Sequence, residues 1–160
     1  MAVINAEVQD TVVRTANHGG EVIAMTAQFE VAAADSDGSI YRLFKVNKNM
    51  VPIRIDINCD AITGATGYNL GLYETLENGG AVKVKDVFMD SADISAGKAL
   101  GSEQNGLSAL AIDEIGDQIY SLAGETGDAG SKEYDVAITA DTVGTGTGTI
   151  SVRALFAKSA

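Results

Sequence analysis

Residues 35–74 read DSDGSIYRLFKVNKNMVPIRIDINCDAITGATGYNLGLYE. Within it, residues 51–58 give the cleanest alternation in the chain, with Val51, Ile53, Ile55 and Ile57 predicted to point inward and Arg54, Asp56 and Asn58 outward. That is the period-two signature of a half-buried strand. Pro52 cannot donate to a ladder, so it argues for an edge or a strand start. Residues 40–46 and 68–73 form two further runs, separated by Asn47-Lys48-Asn49 and by the turn-rich 60–67 segment. In the last run Tyr68, Leu70 and Leu72 share a face, and Gly71 lies on the other, where another backbone or ring can approach closely.

Outward from this stretch the pattern repeats. Residues 21–33 place Ile23, Met25, Ala27, Phe29 and Val31 on one face, and strands follow over 81–89, 134–140 and 150–158. Asn78-Gly79-Gly80 is a hairpin signal. Ile112, Ile115, Ile119 and Leu122 recur at helical spacing, and Gly124 sits where a C-terminal cap belongs. Gly116 weakens that helix by about 1 kcal/mol relative to alanine, so it depends on packing. The expected fold is mainly β: an antiparallel β-sandwich or jelly-roll-like barrel, with one short α-helix at about 112–123 and an extended N-terminal arm. Residues 1–20 form the arm and 21–160 a single β-rich domain. The arm carries scattered aliphatics, Val3, Ile4, Val8, Val12 and Val13, and ends at Gly19-Gly20. It reads either as a first edge strand or partly ordered tail, or as a segment that adds a strand to a neighbouring chain's sheet. In the second case those five aliphatics are partner-binding residues.

The composition excludes several functions. The 160 residues suit one core, and a net charge of −11 disfavours phosphate backbones and anionic lipid, so neither nucleic acid nor membrane is an expected partner. No apolar run approaches the roughly 20 residues of a membrane span. The first residues lack the basic start and apolar core of a signal peptide, so synthesis in a cytoplasm is expected. Eighteen glycines beside one proline indicate many tight turns rather than a proline-rich linker.

Catalytic chemistry finds little to work with. The run Gly144-Thr145-Gly146-Thr147-Gly148 precedes a strand and lacks the lysine and helix of a phosphate loop, so it reads as an inter-strand loop. Asp35-Ser36-Asp37-Gly38 resembles the start of a calcium loop, yet the twelfth position is Val46, and a turn with capping aspartates is the better reading. His18 is the lone histidine and Cys59 the lone cysteine, too few for a four-ligand zinc site; Cys59 reads as a buried inert thiol. Scattered carboxylates could meet as a glycosidase pair, though the chain has no tryptophan for a sugar cleft. No enzymatic activity, cofactor or metal is expected.

Residues 35–46, Pro52-Ile53-Arg54-Ile55 and residues 60–73 together resemble a family of small head proteins of tailed bacteriophages, the decoration or cement proteins. Residues 106–109, 112–124 and 134–144 are similar as well, so the resemblance spans roughly 20–157. It implies a virion structural protein, commonly a trimer, on the outer capsid surface after synthesis in the host cytoplasm. Its implied partner is the major capsid protein, whose subunit contacts it would stabilise. The alternative is a β-sandwich module that binds a ligand or glycan, assisted by a cation at Asp35 and Asp37.

Overall fold

The structure is a computed structural model that describes residues 3–5, 7–17, 20–126 and 132–158, with side chains from residue 21 onward. Ten strands form two open sheets. The first has the order β1 (Val3–Asn5), β4 (Ser39–Asn47), β9 (Glu133–Thr142), β6 (Thr66–Glu74), β7 (Val82–Ala92). The second has the order β2 (Glu7–Asn17), β3 (Gly20–Val31), β10 (Gly148–Lys158), β5 (Met50–Cys59), β8 (Gln104–Asn105). Pairing is antiparallel throughout except between β1 and β4. The two sheets stay open, so the architecture is a sandwich.

The alternating apolar residues of both sheets fill the space between them. Phe29 on β3 stacks on Tyr41 of β4 with ring centroids 4.4 Å apart, and Phe44 of β4 meets Phe156 of β10 edge-on at 5.9 Å. Tyr68, Leu70 and Leu72 of β6 and Ile55 and Ile57 of β5 are buried in the same core. β5 is paired along its length by β10, but on its other side only by the two residues of β8, consistent with an edge position for Pro52.

Two sequence expectations shift. Val51 and Ile53 both point outward, Ile53 half exposed, because a bulge opposite Leu155/Phe156 changes the phase of β5 between them and the inward Ile55 and Ile57. Before the bulge Met50 and Pro52 face the core; after it Ile55 and Ile57 do. The helix read over 112–123 is shorter. A 3-10 turn covers Ile112–Glu114, and α1 covers only Ile119–Leu122. Gly116, at φ +96°, breaks the run between them. Ile119 and Leu122 are buried beside the β4–β5 turn, where the Tyr120 N–H donates to the Lys48 carbonyl at 3.1 Å, whereas Ile112 and Ile115 are exposed.

Gly71 fulfils the close approach expected of it. β7 leaves the β6 ladder between Met89 and Val84 and lays its backbone over Gly71. A Cβ there would sit 2.1 Å from the Val84 carbonyl oxygen and 2.3 Å from the Lys85 carbonyl carbon. Gly71→Ala is expected to destabilise the fold by about 3 kcal/mol, at the upper end of overpacking costs, because backbone cannot move aside cheaply. Gly101→Ala, at positive φ in open space, should cost only the backbone strain, about 1–2 kcal/mol. Urea unfolding of the two variants checks the ranking; equal losses would mean that the approach of β7 is loose.

Candidate interaction surfaces

The outer face of the first sheet is polar yet buried. Facing rows on β4, β9 and β6 place Arg42 beside Ala137 and Gly71, and Asp135 beside Tyr73. The Arg42 guanidinium donates to the Asp135 carboxylate at 2.6 Å, to the Glu74 carbonyl at 2.8 Å and to the Gly80 carbonyl at 2.7 Å. Its carbon also lies 5.5 Å from the Tyr73 ring centroid. The Tyr73 hydroxyl in turn hydrogen-bonds the Thr139 hydroxyl. Asn69 donates to Asp141 and accepts from the Ser91 N–H, and Lys85 reaches the same Asp141 carboxylate at 2.7 Å. The β7 crossing and the 75–81 turn roof over this layer. It is a structural network, buried at Arg42 and Asp135 and open to solvent at Lys85 and Asp141.

At one end of the sandwich the loops interlock. Asp35 accepts from the Ala32 N–H and the Tyr41 hydroxyl, and Asp37 accepts from the Val143 N–H at 2.9 Å. Both carboxylates are occupied as turn caps, and no group of three or more His, Cys, Asp or Glu that could hold a metal occurs among the described residues. The glycine-threonine run packs on residues 60–65: Thr145 donates to the Thr63 carbonyl, and Thr149 donates to the Asp60 carboxylate. At Gly144 a Cβ would meet the Thr63 carbonyl oxygen at 2.5 Å, so this loop is glycine-rich because it touches another backbone.

Burial pushes the phenols of Tyr41, Tyr68, Tyr73 and Tyr134 upward, and the hydrogen bond to Asp35 raises Tyr41 further. These rings serve the core as neutral groups. Cys59 is half-buried, its backbone bridged to Lys98, and burial raises its thiol, which suppresses the reactive thiolate. It lines a polar open groove of about 620 Å³ with Lys98, Ser102 and Thr149. His18 lies outside the described residues.

The predicted arm residues fall on two sheet edges. Val3 and Ile4 pair in parallel with Ile40 and Tyr41, at the edge of the first sheet. Val8 and Val13 pair with Ala27 and Ala24, at the edge of the second, and Val12 lies in the irregular stretch between Gln9 and Val13. Sequence reasoning missed the exposed pair Ile112 and Ile115 and the outward Ile53. The signals were Gly116, which interrupts the helical stripe, and Pro52, which precedes the bulge.

No protein-family model and no curated protein matches the chain. Two solved structures share its fold. One is a chain of the capsid of Ralstonia phage GP4, with 15% identity, TM-score 0.65, and 99% of each chain covered. The other belongs to the cyanophage Pam1 capsid asymmetric unit, with 8% identity, TM-score 0.53, and 92% of this chain and 91% of that chain covered. The class these define is a two-sheet β fold found in phage capsids.

The buried ion pair makes a sharp prediction. Asp135→Ala strands a buried guanidinium and is expected to cost about 3–5 kcal/mol, whereas Arg42→Met combined with Asp135→Leu should cost much less. Chemical denaturation of the single and double variants measures the difference. Similar losses in both would show that the pair is hydrated rather than buried.

Proposed function

We propose that this chain is a non-enzymatic virion structural protein. In this reading it binds the outer surface of a phage capsid and stabilises contacts between major capsid protein subunits. It is made in the host cytoplasm and acts as a homo-oligomer, a trimer by resemblance to the decoration proteins. The observation that carries the reading is the fold match to a capsid chain across 99% of both chains.

The chemistry supports it. Arg42 and Asp135 pair with each other, the carboxylates of the 35–38 turn accept from backbone N–H groups and the Tyr41 hydroxyl, and burial favours the thiol of Cys59. Recognition then rests on sheet edges and exposed apolar residues. On a shell of repeated sites, an oligomer that engages several at once gains from effective concentration, so each contact can be weak. β1 and β2 occupy edges, where a strand can be offered to a neighbour through backbone hydrogen bonds. The N-terminal arm of residues 1–20 is assigned this docking role.

The test is co-sedimentation with assembled heads lacking the protein. Full-length chain should pellet with the particles and raise their resistance to heat; failure to pellet sinks the reading. A variant lacking residues 1–18 should keep its strand-rich circular dichroism and lose most of its binding. Undiminished binding by that variant would remove the arm from the docking role.

A further inference from the structure

Two apolar surfaces outside the core carry opposite charge. The first is a knob on the loop before α1. Ile112 is 88% exposed and Ile115 71%. They bracket a single 3-10 turn, Ile112 at its start and Ile115 as its extended C-cap. The knob is fixed in place. The Glu114 carboxylate accepts from the Ala111 N–H at 3.0 Å, and the Glu114 N–H donates back to the Ala111 carbonyl at 3.0 Å. Upstream, the Gly106 N–H donates to the Ile55 carbonyl and the Ala109 N–H to the Phe88 carbonyl, while Leu107 and Leu110 pack against the core. A surface held this rigidly loses little entropy on binding. The loop that carries it is acidic: Asp113, Glu114 and Asp117 lie within five residues, with no lysine or arginine between Leu107 and Leu122.

The second surface is the outer face of the second sheet. Val22 on β3, Ala157 on β10 and Val51 on β5 form one cross-sheet row, and Ala24, Leu155 and Arg54 form the next. The bulge adds Ile53. A groove of about 420 Å³ runs over Ala24, Met25 and Leu155 between Arg54 and Arg153. Both arginines are paired, Arg54 with Asp56 and Arg153 with Glu103, but the cations are the outer members. Their side chains are 64% and 48% exposed, against 18% and 20% for the carboxylates. Lys158 is exposed at the same end. The face is apolar, and at its groove two exposed arginines stand outside the carboxylates, Asp56 and Glu103, that pair with them.

We propose that the knob of one copy docks on the outer face of the second sheet in another copy. Ile112 and Ile115 then cover the Ala24–Leu155 groove, and Asp113 and Asp117 face Arg54 and Arg153. The occupant follows from charge. A chain at −11 repels its own copies, so copies associate only where a local contact joins opposite signs, and these two apolar surfaces do so. The contact is heterologous, each copy using its knob once and its face once, which suits a closed ring. The inference rests on the reading of the chain as a homo-oligomer and names the surfaces involved.

Light scattering coupled to size exclusion, at low and high salt, tests it. Wild type is expected to be oligomeric and to dissociate more readily at high salt. Arg54→Glu with Arg153→Glu, and separately Asp113→Arg with Asp117→Arg, should each weaken association by about a hundredfold or more, because like charges then meet. Mixing the two variants should restore association as mixed dimers or even-numbered assemblies, since each knob finds an opposite face only on the other variant. Ile112→Ser with Ile115→Ser should give a monomer with wild-type circular dichroism, whose melting temperature no longer rises with protein concentration. A wild-type monomer at every concentration, or an oligomer indifferent to both reversals, overturns the proposal. So does a mixture that fails to reassociate while both variants keep wild-type circular dichroism. None of these outcomes bears on pelleting with heads, which a monomer can still do.

Discussion

The Arg42–Asp135 pair is the constraint on which the rest of the first sheet depends. Each group is buried on a face that would otherwise meet water, and either alone would carry an uncompensated charge at a cost of several kcal/mol. The pair is tolerated because the guanidinium also serves two carbonyls, at Glu74 and Gly80. It thereby joins β4, β9, the end of β6 and the 75–81 turn. That turn sets where β7 begins, and the crossing of β7 over Gly71 closes the roof. Hydrogen bonding, charge and the missing side chain at Gly71 are three parts of one arrangement.

This arrangement divides the molecule. The outer face of the first sheet is sealed by its own chain and offers little to a partner. The outer face of the second sheet is bare, apolar in two rows, and rimmed by arginines. The strand edges at β1 and β2 and the knob at Ile112 and Ile115 also leave backbone or apolar groups exposed, as do Leu76, Val82 and Leu100. Binding capacity therefore concentrates on the second sheet, the N-terminal strands and the 106–118 loop, while the 35–74 stretch supplies the scaffold.

The strands were legible because alternation is a local property. Residues 51–58, 68–73 and 150–158 show it without knowledge of their neighbours, and the need for glycine at position 71 followed from the same alternation. What was not legible required register. Arg42 and Asp135 are 93 residues apart and meet only because β4 pairs with β9. The outward turn of Ile53 depends on a bulge against β10, and alternation taken alone gave it the opposite face. The helical spacing of Ile112, Ile115, Ile119 and Leu122 was correct for the last two residues only, because positive φ at Gly116 separates the halves. The glycine-threonine run was readable as a loop, but its packing on residues 60–65 was not. The interaction surfaces were the least legible, since exposure of an isoleucine is a property of the assembled fold.

The most direct measurement of the proposed function is the stoichiometry and accessibility of the chain on purified, unopened heads of the phage that the proposal takes as its source. Quantitative mass spectrometry should find it in a fixed simple ratio to the major capsid protein, and an antibody against the 106–118 loop or the N-terminal strands should bind heads whose genome is still packaged. Absence from washed heads, or a presence that no antibody reaches until the shell is opened, would contradict an outer-surface structural role.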